Sequence, residues 1–153
     1  MNTSLSSSLS LEHSYTLIVH PDIARLREIG AEISSRYALE AIHIGAELSA
    51  ALIEVTPQQR PSVAHHWLTD RLRQGSRGPI IYGGIDLLFE PALRLDPFAL
   101  FKNASRLSPV IVLWPGTYHE GVLAYAVPEH QHYRTWRELG SEIRILTETT
   151  FSP

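Results

Sequence analysis

Short apolar runs alternate with amphipathic stretches along the chain, the pattern that strands and helices leave in an α/β sheet. Tyr15-Thr16-Leu17-Ile18-Val19-His20 reads as the first strand. Ile23, Leu26, Ile29 and Ile33 then recur at three-to-four spacing, giving one apolar stripe on a helix suited to packing on a sheet. Ala41–Ile44 predicts a brief strand, and Glu47–Val55 a helix that stops before Pro57. Gln58-Gln59-Arg60-Pro61 reads as a loop, after which Ser62 is placed to cap a helix reaching about Gln74. Val63, Trp67, Leu68 and Leu72 form its inward face, and Gly75-Ser76-Arg77-Gly78-Pro79 makes a turn.

Ile80-Ile81-Tyr82 is short and uniformly apolar, which predicts a strand buried inside the sheet. Asp96-Pro97 marks a helix start, because Asp caps the free amides and Pro fits the first helical position. Phe98, Phe101, Ala104 and Leu107 follow on that helix. Val110–Trp114 is the most strand-like run, and Pro115-Gly116 is expected to end it. Leu123–Val127 reads as a further strand and His130–Leu139 as a final helix. The order β-α-β-α-α-β-α-β-β-α predicts a three-layer sandwich around a mostly parallel sheet of about five strands. Residues 13–153 are expected to form one domain behind a flexible serine-rich tail over 1–12. Ligands of such sheets sit beyond the C-terminal strand ends, here His20, Gly83-Gly84 and Trp114-Pro115-Gly116.

The 153 residues suffice to bury a core without staples. A net charge of −3 gives no long-range pull toward nucleic acid or an anionic membrane. Of the 13 cations only Lys102 is not arginine, a bias that suits interfaces with carboxylates and aromatic faces. The absence of cysteine excludes disulfides, thiolate metal sites and thiol catalysis. No apolar run approaches the ~18–20 residues needed to cross a bilayer. Asn2–Ser10 lacks the basic and apolar regions of a signal peptide, so the expectation is a cytoplasmic protein with no membrane attachment.

The first strand runs straight into a helix, which is where a phosphate-binding loop is usually placed. Such a loop needs glycines, so that backbone N–H groups close around phosphate, together with a lysine and a Ser/Thr hydroxyl. The junction instead reads His20-Pro21-Asp22-Ile23-Ala24-Arg25-Leu26-Arg27 and has none of the three. Ile80–Asp86 stands where a metal-holding strand tip would end, yet the tip is Gly83-Gly84 and Asp86 comes late. His119, His130 and His132 fall close together with Glu120 and Glu129, but nothing in the spacing enforces metal geometry. No G-x-S-x-G nucleophile turn is present. Arg106 either reaches toward a neighbouring subunit or ends a helix in solvent. Tyr118, Tyr125, Tyr133 and Trp136, with Arg134 and Arg137, form either a stacking surface or core and rim.

One series of uncommon pairs recurs in order. It comprises Ile85–Pro97 with Phe89, Pro91 and Asp96-Pro97, then Ala104-Ser105-Arg106, then Trp114-Pro115-Gly116. Leu123–His130 and Tyr133-Arg134 complete it. Together these segments resemble the BrxF family, small P-loop proteins of type 3 BREX bacteriophage-defence systems. The similarity spans roughly residues 60 to 137, about half the chain. It implies an AAA-like P-loop NTPase core and an intracellular subunit of a multi-protein system that separates self from phage DNA.

The departures from that family are as informative. An overlay puts Leu26 on the phosphate-loop lysine and Arg27 on the hydroxyl residue. Gly83 falls on an acidic strand-tip position, and Asp86 matches a later acidic one. Both halves of an ATP site are then degenerate, over His20, Pro21, Asp22, Arg25, Leu26 and Arg27 and over Gly83, Gly84 and Asp86. Ile23 and Leu26 are expected to bury on the sheet in place of the lost loop, at about 1.5–3 kcal/mol per well-buried side chain.

The leading expectation is a non-catalytic adaptor or regulatory subunit with no cofactor and no metal, contacting other subunits of a defence complex or itself. Its contact residues would be Phe89, Pro91, Arg106, Trp114, Tyr118, His130, Tyr133 and Arg134. The alternatives are an ATPase or nucleotide switch with a phosphate site rebuilt on Arg25 or Arg27, and a DNA-contacting accessory subunit.

Overall fold

In the computed structural model, which describes residues 14–74, 78–126 and 131–147, β1 (Tyr15–His20) lies inside the sheet with a neighbour on each side. It pairs in parallel with β4 (Val110–His119) from Tyr15↔Val110 to His20↔Pro115, and with β7 (Ile143–Leu146) from Tyr15↔Ile143. β2 (Glu40–His43) pairs with β3 (Ile80–Gly83), and β3 with β4, so five parallel strands run in the order β2-β3-β4-β1-β7. Two further strands, β5 (Val122–Tyr125) and β6 (Arg134–Trp136), extend β4 as an antiparallel meander and bring the sheet to seven.

Helices cover the two faces unequally. On one face Ile18, Ile81, Ile111, Leu113 and Leu146 meet α1 (Ile23–Tyr37) through Leu26, Ile29 and Ile33, three of the four positions of the expected stripe. The larger core, on the opposite face, joins α2 (Ile44–Leu52), α3 (Arg60–Arg73) and α4 (Pro97–Ala104) to Tyr15, Leu17, Tyr82, Val112 and Trp114. Two 3₁₀ turns, Ile85–Phe89 and Pro91–Leu93, bury Ile85, Leu88, Phe89 and Leu93 in this second layer. The architecture is therefore α/β with a mostly parallel sheet between helical layers.

Several expected boundaries move, each for a local reason. β4 does not end at Pro115-Gly116 but continues to His119. The parallel ladder with β1 finishes at Pro115, and from Gly116 onward β4 pairs antiparallel with β5. Pro115 still serves there as an acceptor, taking a hydrogen bond from Ala126 N at 3.2 Å. A Cβ on Gly116 would run into the Ala124 carbonyl oxygen, so glycine permits this close crossing.

α2 begins at Ile44, three residues before the expected Glu47, because His43 Nδ1 accepts from Ala46 N at 3.0 Å and caps the helix. α3 begins at Arg60, ahead of Ser62, with Pro61 in its first turn. Leu107 lies beyond α4 and is 66% exposed. The expected terminal helix is absent over its described part: Arg134–Trp136 is a strand, and Glu138 (φ 54°) and Gly140 (φ 102°) take left-handed backbone that no α-helix continues through. The tail over 1–12 and the position of His130 lie outside the described residues.

Candidate functional site

At the β1–α1 junction the free amides of the helix are met by the chain itself. Asp22 Oδ1 accepts from Ala24 N at 2.9 Å and from Arg25 N at 3.3 Å. Its backbone N–H donates to His20 Nδ1 at 2.9 Å, and its carbonyl accepts from Leu26 N, also at 2.9 Å. Asp22 is thus an N-cap with its carboxylate where a helix N-terminus would otherwise attract an external anion. Pro21 fixes the backbone just before it and has no N–H to offer.

Leu26 is buried against the sheet as expected, but Ile23 is 47% exposed. Ile23 is the first residue of α1, where the helix has only just left β1, so the sheet does not lie beneath it. The β1–α1 junction is held here by a polar cap and one buried leucine. Arg25 extends to Glu28 at 3.4 Å on the surface.

Across the sheet, β3 ends at Gly83, and Gly84 turns the chain in left-handed backbone (φ 61°, ψ 39°). A side chain on Gly84 would run into the His43 ring, so the end of β2 and the end of β3 are held in direct contact. Asp86 then sits in the first turn of the following 3₁₀ segment. Between these tips, α1 and the start of α2 lies a cavity of about 610 Å³. It brings together Leu26, Arg27, Gly83, Gly84 and Asp86 from the expected positions, whereas His20, Pro21, Asp22 and Arg25 do not line it. It adds His43, Ala46 and Ser49, which the sequence reading did not single out. The available signal was a histidine directly before a helix, followed by the small residues Gly45 and Ala46.

The expected contact residues separate into two groups. Phe89 and Trp114 are fully buried, which removes them from any surface. The Phe89 ring stacks on Tyr125 with centroids 3.8 Å apart and planes within 3°, and meets Trp114 edge-on at 5.0 Å. Trp136 closes the cluster against Trp114 at 5.1 Å. Inward alternation along β4 drives Trp114 into the core, where its indole N–H donates to the Ala124 carbonyl at 3.0 Å. Arg134 lies half-buried over the Trp136 ring at 4.8 Å and donates to the Leu95 carbonyl at 2.9 Å. Pro91, Arg106, Tyr118 and Tyr133 are exposed, and the last two are the aromatic candidates at the surface.

Electrostatic shifts fall on three buried phenols and on two surface ion-pair partners: the bond to Glu47 raises Arg71, and hydrogen bonds from its own backbone amide and from Lys102 lower Glu142. Burial pushes the Tyr125 hydroxyl up, with Asp86 and Glu90 adding to it, and burial does the same to Tyr82 and, further, to Tyr15. His119 lies beside Glu120 at 3.8 Å and His132 beside Glu90 at 3.9 Å, while His130 and Glu129 of the expected group lie outside the described residues. Among the described residues no three His, Asp or Glu side chains are grouped to hold a metal ion. No helix among them is long and apolar enough to cross a membrane. Comparison with protein-family models, with curated proteins and with solved structures gives no match to this chain.

Proposed function

We propose that this chain is a non-catalytic, P-loop-like adaptor or regulatory subunit of a BREX-like antiphage assembly, working through protein–protein contacts. The observation that carries the non-catalytic half is the Asp22 cap. An anion at this helix end would have to displace a carboxylate already bonded to Ala24 N and Arg25 N, and would then stand beside that negative charge. The strand–turn–helix placement of β1 and α1 supports the P-loop-like ancestry, and the sequence resemblance over residues 60 to 137 supports the defence context. Exposed Tyr118, Tyr133, Pro91 and Arg106 are the contact candidates that remain.

The reading is tested with ATP–Mg²⁺ and with the protein products encoded beside this chain. Calorimetry with nucleotide should give no saturable heat. Co-expression with a neighbouring methyltransferase or large ATPase should yield a complex that Tyr118→Ala or Tyr133→Ala weakens. Tight nucleotide binding, or chains that stay apart at micromolar concentrations, would refute it.

One observation favours a second reading. Arg27 lies on the cavity wall with no hydrogen bond or ion pair among the described residues, so it is placed to meet a phosphate there. Steady ATP hydrolysis lost in Arg27→Ala would establish a rebuilt nucleotide site over the adaptor.

A further inference from the structure

The cavity between α1 and α2 has a character that neither the capped helix end nor the exposed tyrosines explain. Its volume of about 610 Å³ lies within the ~300–1,000 Å³ usual for small-molecule sites, and it opens beside the C-terminal ends of parallel strands. Leu26, Ile81 and Leu113 supply an apolar wall, while Gly83 and Gly84 leave the strand tips bare. Arg27 stands on α1 and Asp86 on the turn after β3, and among the described residues neither forms a hydrogen bond or an ion pair. His43 accepts the Ala46 amide on Nδ1, which puts its own proton on Nε2 as a donor.

We infer that this cavity binds a small zwitterion with an apolar body, of the class of aromatic or branched α-amino acids. An apolar body replaces water along the leucine and isoleucine wall. A purely apolar ligand would strip solvent from Arg27 and Asp86 and return nothing to either charge. A simple anion meets Asp86 and a simple cation meets Arg27, each a like-charge contact. A molecule with both a carboxylate and an ammonium group satisfies both, with His43 Nε2–H as an additional donor to the carboxylate. The inference stands apart from the adaptor reading and needs no phosphate.

The test is amide NMR on the full chain with L-tryptophan and L-leucine, against indole-3-propionate, which lacks the ammonium, and tryptamine, which lacks the carboxylate. Tryptophan or leucine should move the amides of Gly30, Ala46, Gly83 and Gly84 saturably, and each half-molecule should bind at least about tenfold more weakly than tryptophan. Arg27→Ala and Asp86→Asn should each weaken tryptophan by about tenfold, and Ala31→Phe, which fills the cavity from an exposed helix position, should abolish binding. Absence of saturable shifts with both amino acids at millimolar concentration overturns the inference. Half-molecules that bind as tightly as tryptophan overturn it too, and need no variant to be stable. Because nucleotide takes no part, failure here leaves the adaptor proposal standing.

Discussion

The indole N–H of Trp136 donates to Asp96 Oδ1 at 3.1 Å, the same oxygen that accepts from Ala99 N at 3.2 Å. One carboxylate therefore caps α4 and ties it to β6, forty residues further along the chain. Asp96→Ala should cost about 2 kcal/mol, combining a cap worth about 1 kcal/mol with a hydrogen bond worth about 1 kcal/mol. Trp136→Phe, which keeps the ring but not the donor, should cost about half as much. Urea unfolding of both variants checks the difference.

Only half of that relationship could be read from the sequence. Asp96-Pro97 announces a helix start by local chemistry, and the structure starts α4 there. Trp136 as its partner depends on a hairpin that no local signal fixes. The same holds more widely. β1, the α1 stripe, β3 and the first half of β4 are carried by periodicity within a few residues, and all were legible. β6 was missed because Trp136 and Leu139 stand at helical spacing, while the left-handed backbone of Glu138 and Gly140 that breaks a helix leaves only one glycine as a trace. β7 carries no expectation, its four residues being held by a parallel pairing with the distant β1. Phe89 and Trp114 looked like surface candidates because their burial depends on neighbours distant in sequence: Trp114 pairs with Val19, and Phe89 stacks on Tyr125. The cavity escaped notice because α1, the start of α2 and the turn after β3 each contribute a small part of it.

His43 and Gly84 pack so closely that a side chain at position 84 has no room beside the imidazole. Gly84→Ala should lose about 1–2 kcal/mol from left-handed backbone alone, and more from the clash. His43→Ala removes the obstacle but also the α2 cap. The double variant should therefore be more stable than the sum of the single losses, a coupling of about 1 kcal/mol or more in a thermal or chemical cycle.

Alkaline pH offers a separate check on the core. Tyr15, Tyr82 and Tyr125 hold their protons to higher pH in the folded chain than in the unfolded one, burial being the main cause. Above about pH 10 the unfolded chain then carries fewer protons than the folded one, so stability is complete below that pH and falls as pH rises further. Tyr82→Phe and Tyr125→Phe should each flatten the fall above about pH 10 in denaturation midpoints. Tyr15→Phe should do so too, but from a lower start, because it also loses the 3.0 Å bond to the Phe98 carbonyl.

At the helix end, Asp22→Ala should destabilise the fold by about 0.5–2 kcal/mol, whereas Asp22→Asn, which keeps the acceptor oxygen, should cost clearly less. Neither variant should gain nucleotide affinity, because the junction still lacks a lysine and a glycine cradle.

The most direct measurement follows the two amides that Asp22 occupies. With ¹⁵N-labelled chain and ATP–Mg²⁺ raised to several millimolar, the Ala24 and Arg25 resonances should stay where they are. A saturable shift of those two signals, with phosphate displacing the Asp22 carboxylate, would contradict the account.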